Sequence, residues 1–266
     1  MKNITIVLED VSFEAGGKPI LSKINLEFSP AGTTALLGNS GSGKSVLLKV
    51  AAGLLTPSSG TVWVNGLNMS TLSEAQEKEF RRSSGFVFQD GALWANRSVF
   101  DNVQFPLEVH YPLMGTNIRK KKVESQLEKV GFQGDIYLRP GEISTGEQKM
   151  VSLARSLVTS PELLFLDNPL VSLDTGSAES MIEIIKDLHK KNTTLIGSFS
   201  SAELISLVAD ELVVLHKGEV LISGDFRTVR DTDNPAAKNV LLSLFKEAAS
   251  FDQDILELMD ENDLFS

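Results

Sequence analysis

The residues whose types and spacing point to chemistry begin at Gly38-Asn39-Ser40-Gly41-Ser42-Gly43-Lys44-Ser45, followed by Val46. This run lies between an apolar stretch, 33–37, and a segment, 44–54, that reads as a buried helix. Glycines let successive backbone N–H groups curl around an anion, and a helix N-terminus adds the positive end of its dipole. The spacing is that of a phosphate loop, in which Lys44 reaches the β- and γ-phosphates of a nucleotide such as ATP and the Ser45 hydroxyl ligates Mg²⁺. A complementary acid is offered by Leu163-Leu164-Phe165-Leu166-Asp167, an apolar strand ending in a carboxylate able to hold Mg²⁺ through water beside Ser45. Gln89 ends another apolar stretch, 85–89, where an amide could approach the metal or an attacking water. Taken alone, Gln89 is a capping or turn residue.

Positioning these groups requires strands and helices in a particular order. Residues 4–13 and 20–28 alternate like antiparallel strands around a turn at Gly16-Gly17-Lys18-Pro19. A strand at 61–64, a polar helix at 73–82 and a strand at 85–89 follow. The middle, about 92–160, reads as helical in pieces near 98–108, 117–130 and 146–158, broken by Pro106, Pro112, Gly131, Pro140 and Gly141. Then come strand 163–166, helix 177–190, strand 194–197, helix 201–208 and a hairpin at 212–215 and 219–222. This is an α/β pattern, a strand-rich core with a helical insertion. Asn239 to Ala249 reads as an amphipathic helix, and Phe251 to Ser266 carries six acidic groups among apolar ones. That end is read as a helix on its own core, a clasp on a partner, or a frayed tail.

At 266 residues the chain can bury a substantial core, and a net charge of −10 argues against a nucleic-acid-binding surface. The basic run Arg119-Lys120-Lys121-Lys122 has acidic neighbours and reads as a solvated helix face. The absence of cysteine excludes disulfides, thiolate metal sites and Cys nucleophiles together. Nothing in the sequence approaches the roughly 18 to 20 apolar residues of a membrane-spanning helix, and the first residues carry no signal-peptide pattern, so membrane association is expected through a partner.

In their order along 4–235 these residues resemble the ATP-binding-cassette (ABC) family. Gly38–Ser45 is similar to its Walker A loop, Gln89 to its Q-loop, Leu163–Asp167 to its Walker B strand and Ser172-Leu173-Asp174 to its D-loop. Ile143-Ser144-Thr145-Gly146-Glu147, with Ala154-Arg155, resembles a divergent signature motif. The resemblance implies a P-loop NTPase fold of the cassette type, with one nucleotide-binding domain at 1–235, its helical subdomain at about 92–160, and a C-terminal acidic extension at 236–266. It implies ATP and Mg²⁺ as ligands, and a head-to-tail dimer in which Ser144 and Gly146 face the partner's ATP. It also implies an integral membrane permease partner, placing the chain on the cytoplasmic face of the inner membrane without insertion. Phe88-Gln89-Asp90-Gly91-Ala92-Leu93-Trp94, with Ser98–Val103 and Phe105-Pro106-Leu107, looks like cassettes of bacterial phospholipid and hydrophobic-compound transporters of the mammalian-cell-entry type. Asp233-Asn234-Pro235 suits that group too. There Leu93, Trp94, Phe100 and Tyr111 are either permease contacts or core.

The pattern breaks where hydrolysis is done. The family's general base follows the Walker B Asp as Glu; here it is Asn168, an amide that accepts a hydrogen bond from water but cannot take its proton. The family's switch histidine falls at Ser200, too short to repeat an imidazole's reach. His189 and His216 read as surface residues. Thr145, Glu147 and Met150 depart from the usual Gly, Gln and Arg, and Glu147 is expected to put negative charge near a phosphate. The adenine-stacking aromatic is replaced by Ala15, while Phe13 points to the core. The sequence therefore reads as an ATP-binding transport subunit with weak or absent hydrolysis. A competent transport ATPase with a displaced base, and a regulatory or scaffolding cassette, stay open beside it.

Overall fold

The structure, a computed structural model, describes residues 4–249. Strands β1 (Ile6–Ala15) and β2 (Lys18–Phe28) form a hairpin. Its two-residue loop is Gly16-Gly17, both at positive φ (58° and 72°), the geometry that matches the twist of paired strands and that glycine reaches without strain. β3 (Thr33–Leu37) runs through the glycine-rich loop into α1 (Lys44–Ala51), which stops three residues short of the helix expected from the apolar pattern. β4 (Ser59–Val64), β5 (Leu67–Asn68), α2 (Glu74–Ser83) and β6 (Ser84–Val87) follow. The helical insertion holds α3 (Val99–His110), α4 (Thr116–Lys129) and α5 (Thr145–Leu157). The chain continues through β7 (Leu163–Asp167), α6 (Thr175–Lys190), β8 (Thr194–Ser198) and α7 (Ala202–Val208). β9 (Glu211–His216), β10 (Glu219–Gly224), α8 (Phe226–Arg230) and α9 (Pro235–Ala249) complete it.

Among the described residues the strands make two sheets. One is four-stranded in the order β2-β1-β4-β5; the other is six-stranded in the order β10-β9-β3-β8-β7-β6. In the larger sheet β3, β6, β7, β8 and β9 are parallel neighbours, and only β10 is antiparallel. A parallel strand covered on both faces is apolar throughout, and β7 shows why. Leu163 and Phe165 enter the core shared with α1 and the smaller sheet, whereas Leu164 and Leu166 enter the core shared with the helices of the opposite face. Leu36 and Ala35 divide in the same way on β3, and Ile196 and Leu195 on β8.

Four expectations are corrected. Pro106 does not end a helix; it sits inside α3. An interior proline costs about 3 kcal/mol. The row Val99, Val103, Leu107, spaced four residues apart and fully buried, offsets that cost at about 2 kcal/mol per side chain. Arg119 is not on a solvated face: its guanidinium folds back to the Met114 carbonyl (3.2 Å) and Glu108 (3.5 Å). His189 is half-buried, with Nδ1 3.0 Å from the Thr33 hydroxyl and 3.7 Å from the Asp210 carboxylate, pinning the end of α6 beside the start of β3. The helix expected from Asn239 starts at Pro235, where proline suits a first turn and the Asn234 side chain accepts from the N–H groups of Ala236 (3.0 Å) and Ala237 (3.3 Å). Ala237, Val240 and Leu241 of α9 are buried in the same core as Leu204 and Val214. The acidic stretch Phe251–Ser266 lies outside the described residues. Among the described residues no helix is long and apolar enough to cross a membrane.

Candidate functional site

Parallel pairing of β6, β7, β8 and β3 delivers their carboxyl ends to one edge of the sheet, the place where ligands of open α/β sheets bind. Side-chain parity then decides what meets there. Asp167 shares the face of Leu163 and Phe165, and Ser198 the face of Ile196, so both turn toward α1. The Ser45 hydroxyl, at the first turn of α1, donates to Asp167 Oδ1 at 2.8 Å. The Ser198 hydroxyl, fully buried, donates to the same oxygen at 2.9 Å. Asp167 is itself buried, 3% exposed.

The loop from Gly38 to Gly43 needs its glycines. Gly41 and Gly43 lie at φ 77° and 104°, and nothing lies within 4 Å of where a Gly41 side chain would begin, so the loop is open there. A Cβ at Gly38 would strike the Leu215 carbonyl (2.4 Å) and the Ser42 hydroxyl (2.6 Å). Lys44 curls into the loop and donates to the carbonyls of Gly38 (2.5 Å) and Asn39 (3.0 Å). Burial pushes its ammonium below the usual lysine range, while the nearby Asp167 opposes that shift. Asn39 and Ser40 are exposed, and Val46 is half-buried with its side chain on the core of the smaller sheet.

At the far end of the site the groups are neutral. Asn168 has φ 45°, a left-handed conformation that asparagine tolerates well, and its N–H donates to the Ser198 hydroxyl (3.0 Å) and carbonyl (3.1 Å). Its amide nitrogen stands 3.5 Å from Gln89 Oε1. β6 ends at Val87, so Gln89 belongs to the turn that follows rather than to the strand, and it is exposed. Ser200 is exposed two residues beyond β8. These three line one cavity of about 740 Å³ with the phosphate loop.

Ser144 and Gly146 stand apart from this cavity, at the start of α5. Ser144 is the N-cap, and its backbone N–H and hydroxyl both donate to Glu147 Oε2 at 2.8 Å. Glu147 thus folds back as half of a capping box instead of projecting free charge, which corrects the expectation for it. At the other end of α5, Arg155 donates to the carbonyls of Ala92 (2.8 Å) and Gly91 (3.0 Å) and lies 5.4 Å from the Trp94 ring. Its burial lowers its pKa to about 10. Leu93, Phe100 and Tyr111 pack partly on the core, whereas Trp94 is 40% exposed.

Sequence reasoning missed several participants. Val240, Ser243 and Leu244 of α9 form a wall of the cavity, and Val171 and Phe199 another part of it. No local pattern signals them, because chain folding alone brings α9 beside Ser200. Ser198 carried one available signal, a hydroxyl in phase with the apolar face of a buried strand.

The donor set fits a polyphosphate and a hard cation. Among the described residues there is no cluster of three or more His, Asp or Glu able to hold a metal alone. One carboxylate and one hydroxyl converge instead beside an open glycine cradle, as suits Mg²⁺ completed by phosphate oxygens. With the geometry in place, comparison with known proteins defines the class. The ABC transporter family profile matches residues 21–171, and the chain belongs to that family. It is similar to a sulfate/thiosulfate import ATP-binding protein of Mesostigma viride, 36% identical over 96% of this chain and 72% of that protein. It is also similar to an intermembrane phospholipid transport system ATP-binding protein of Haemophilus influenzae, 32% identical over 88% of this chain and 94% of that protein. Among solved structures it resembles a dimeric bacterial ABC transporter cassette, with TM-score 0.77 and 26% identity, covering 84% of this chain and 99% of that one. The fold is therefore the mixed α/β core with inserted helices of that class.

Proposed function

We propose that this chain is the ATP-binding subunit of an ABC transporter, holding Mg-ATP at a dimer interface and splitting it slowly or not at all. One contrast carries the reading: the phosphate loop and the Ser45–Asp167–Ser198 cluster are intact, while the positions facing the terminal phosphate hold Asn168 and Ser200. Lys44, freed from the Gly38 and Asn39 carbonyls, would bind the β- and γ-phosphates. Ser45 and Asp167 would hold Mg²⁺, directly and through water, with Gln89 beside them. Bound Mg²⁺ would neutralise phosphate charge. Asn168 can orient a water by hydrogen bonding, but it has no basic site for its proton. Ser144 and Gly146, at the positive end of the α5 dipole, would meet the ATP of a second cassette, identical or not.

The transported substrate is read as a lipid or another hydrophobic compound, from the segment 88–107 and the phospholipid-transport relative. A membrane permease would dock on the face carrying Trp94, holding the chain peripherally on the cytoplasmic side. Two measurements test this. Equilibrium binding and light scattering with Mg-ATP should show saturable binding and dimerisation, both strongly weakened in Lys44→Ala. Purification of the tagged chain from its native membranes should recover an integral membrane protein; recovery of the chain alone would remove the transport role.

A further inference from the structure

Lys149 has no part in the site as described, yet it is the most deeply buried lysine of the insertion, 4% exposed. Its ammonium donates to the Val171 carbonyl (2.5 Å) and the Asn168 carbonyl (3.3 Å). Burying a cation is unfavourable unless hydrogen bonds replace its water. Here the acceptors belong to a turn that needs a fastening: Asn168 (φ 45°) and Ser172 (φ 64°) are both left-handed without being glycine, and the backbone bonds that close it, Val171 N–H to Asn168 O and Leu173 N–H to Leu170 O, are both long at 3.3 Å. Asn168 and Val171 line the cavity that contains the phosphate loop. Lys149 sits on α5 five residues after Ser144, the exposed cap of that helix. Between them Gly146 lets α5 approach the next turn closely, since a Cβ there would lie 3.1 Å from Asp174 Oδ2. Two contacts therefore join the start of α5 to the segment leading from Asp167 to α6, a polar one to its backbone and a steric one to the Asp174 side chain.

We propose that Lys149 is a positioning residue that makes the 168–171 turn and the N-terminus of α5 move as one body. Nucleotide in this chain's own cavity thereby alters the helix end that is offered to a second cassette. The inference rests on the reading that the cavity takes ATP, and goes beyond it by naming the residue through which one nucleotide site reports to the other. Coupling between sites is a free energy carried by a shared element, commonly worth fivefold or more in an equilibrium.

Hydrogen–deuterium exchange of the full chain, with and without Mg-ATP, tests it on wild type, Lys149→Met and Lys149→Arg. Methionine keeps the buried stem and removes the donors; arginine keeps donors. In wild type, Mg-ATP should slow exchange in 38–45, 168–174 and 144–149, the last by about fivefold. In Lys149→Met the response at 38–45 should persist while that at 144–149 falls to background, and Lys149→Arg should restore it. Should methionine fail to fold, Lys149→Gln provides the same comparison. An unchanged response at 144–149 in Lys149→Met, or an arginine variant as defective as methionine, overturns the coupling alone. No protection at 38–45 in wild type overturns the ATP reading and the coupling with it.

Discussion

The two ends of the phosphate site differ in how they are built. At one end the polar groups that would hold phosphate and metal are already tied down: Lys44 rests on two loop carbonyls, and Ser45 and Ser198 on Asp167. At the other, Asn168 and Gln89 face each other at 3.5 Å, and Ser200 is exposed. Holding an anion needs donors and a cation in fixed places, which a preformed loop supplies. Splitting it needs in addition a group that takes a proton at neutral pH, and neither an amide nor a serine hydroxyl does so. On the proposed reading, affinity and turnover are separable properties of one cavity, and at Asp167 and Asn168 the two roles fall on adjacent residues.

That contrast can be broken most forcefully from the weak end. Replacing Asn168→Glu and Ser200→His together should raise phosphate release by about 100-fold or more, the usual yield of a positioned general base. No gain would mean that geometry, as well as side-chain type, has been lost. From the strong end, Lys44→Ala should weaken ATP binding by about 100-fold, roughly 3 kcal/mol of charge-assisted hydrogen bonding, measured by calorimetry. A smaller test concerns the buried hydroxyl that joins the two ends: Ser198→Ala should lower unfolding stability by about 2 kcal/mol in urea, because Asp167 loses a donor where water cannot replace it. The smallest lies outside the cavity. Ser144→Ala should cost about 1 kcal/mol through loss of the α5 cap, while Glu147→Gln keeps the capping box and should change stability little.

The strong end was legible in sequence because its chemistry is local. The glycine spacing, the lysine and the strand ending in Asp167 lie within short runs whose period fixes their direction. The weak end was legible only as substitutions against a family pattern. What escaped depends on chain crossings. Val240 and Leu244 enter the cavity because α9 packs beside β9 and α7, a contact that no spacing announces. Glu147 reads as a free charge near phosphate only when the Ser-x-x-Glu spacing from Ser144 is passed over, the capping-box signature that the structure shows closed. Pro106 reads as a helix end on propensity alone, and the buried row on either side of it decides otherwise.

The most direct measurement counts bound nucleotide and released phosphate on the same purified sample in Mg-ATP. The account predicts saturable binding, nucleotide recovered as ATP, and turnover at least about 100-fold below the roughly 1 s⁻¹ at which ordinary enzymes begin. Phosphate release near or above that rate, abolished by Lys44→Ala, would contradict it.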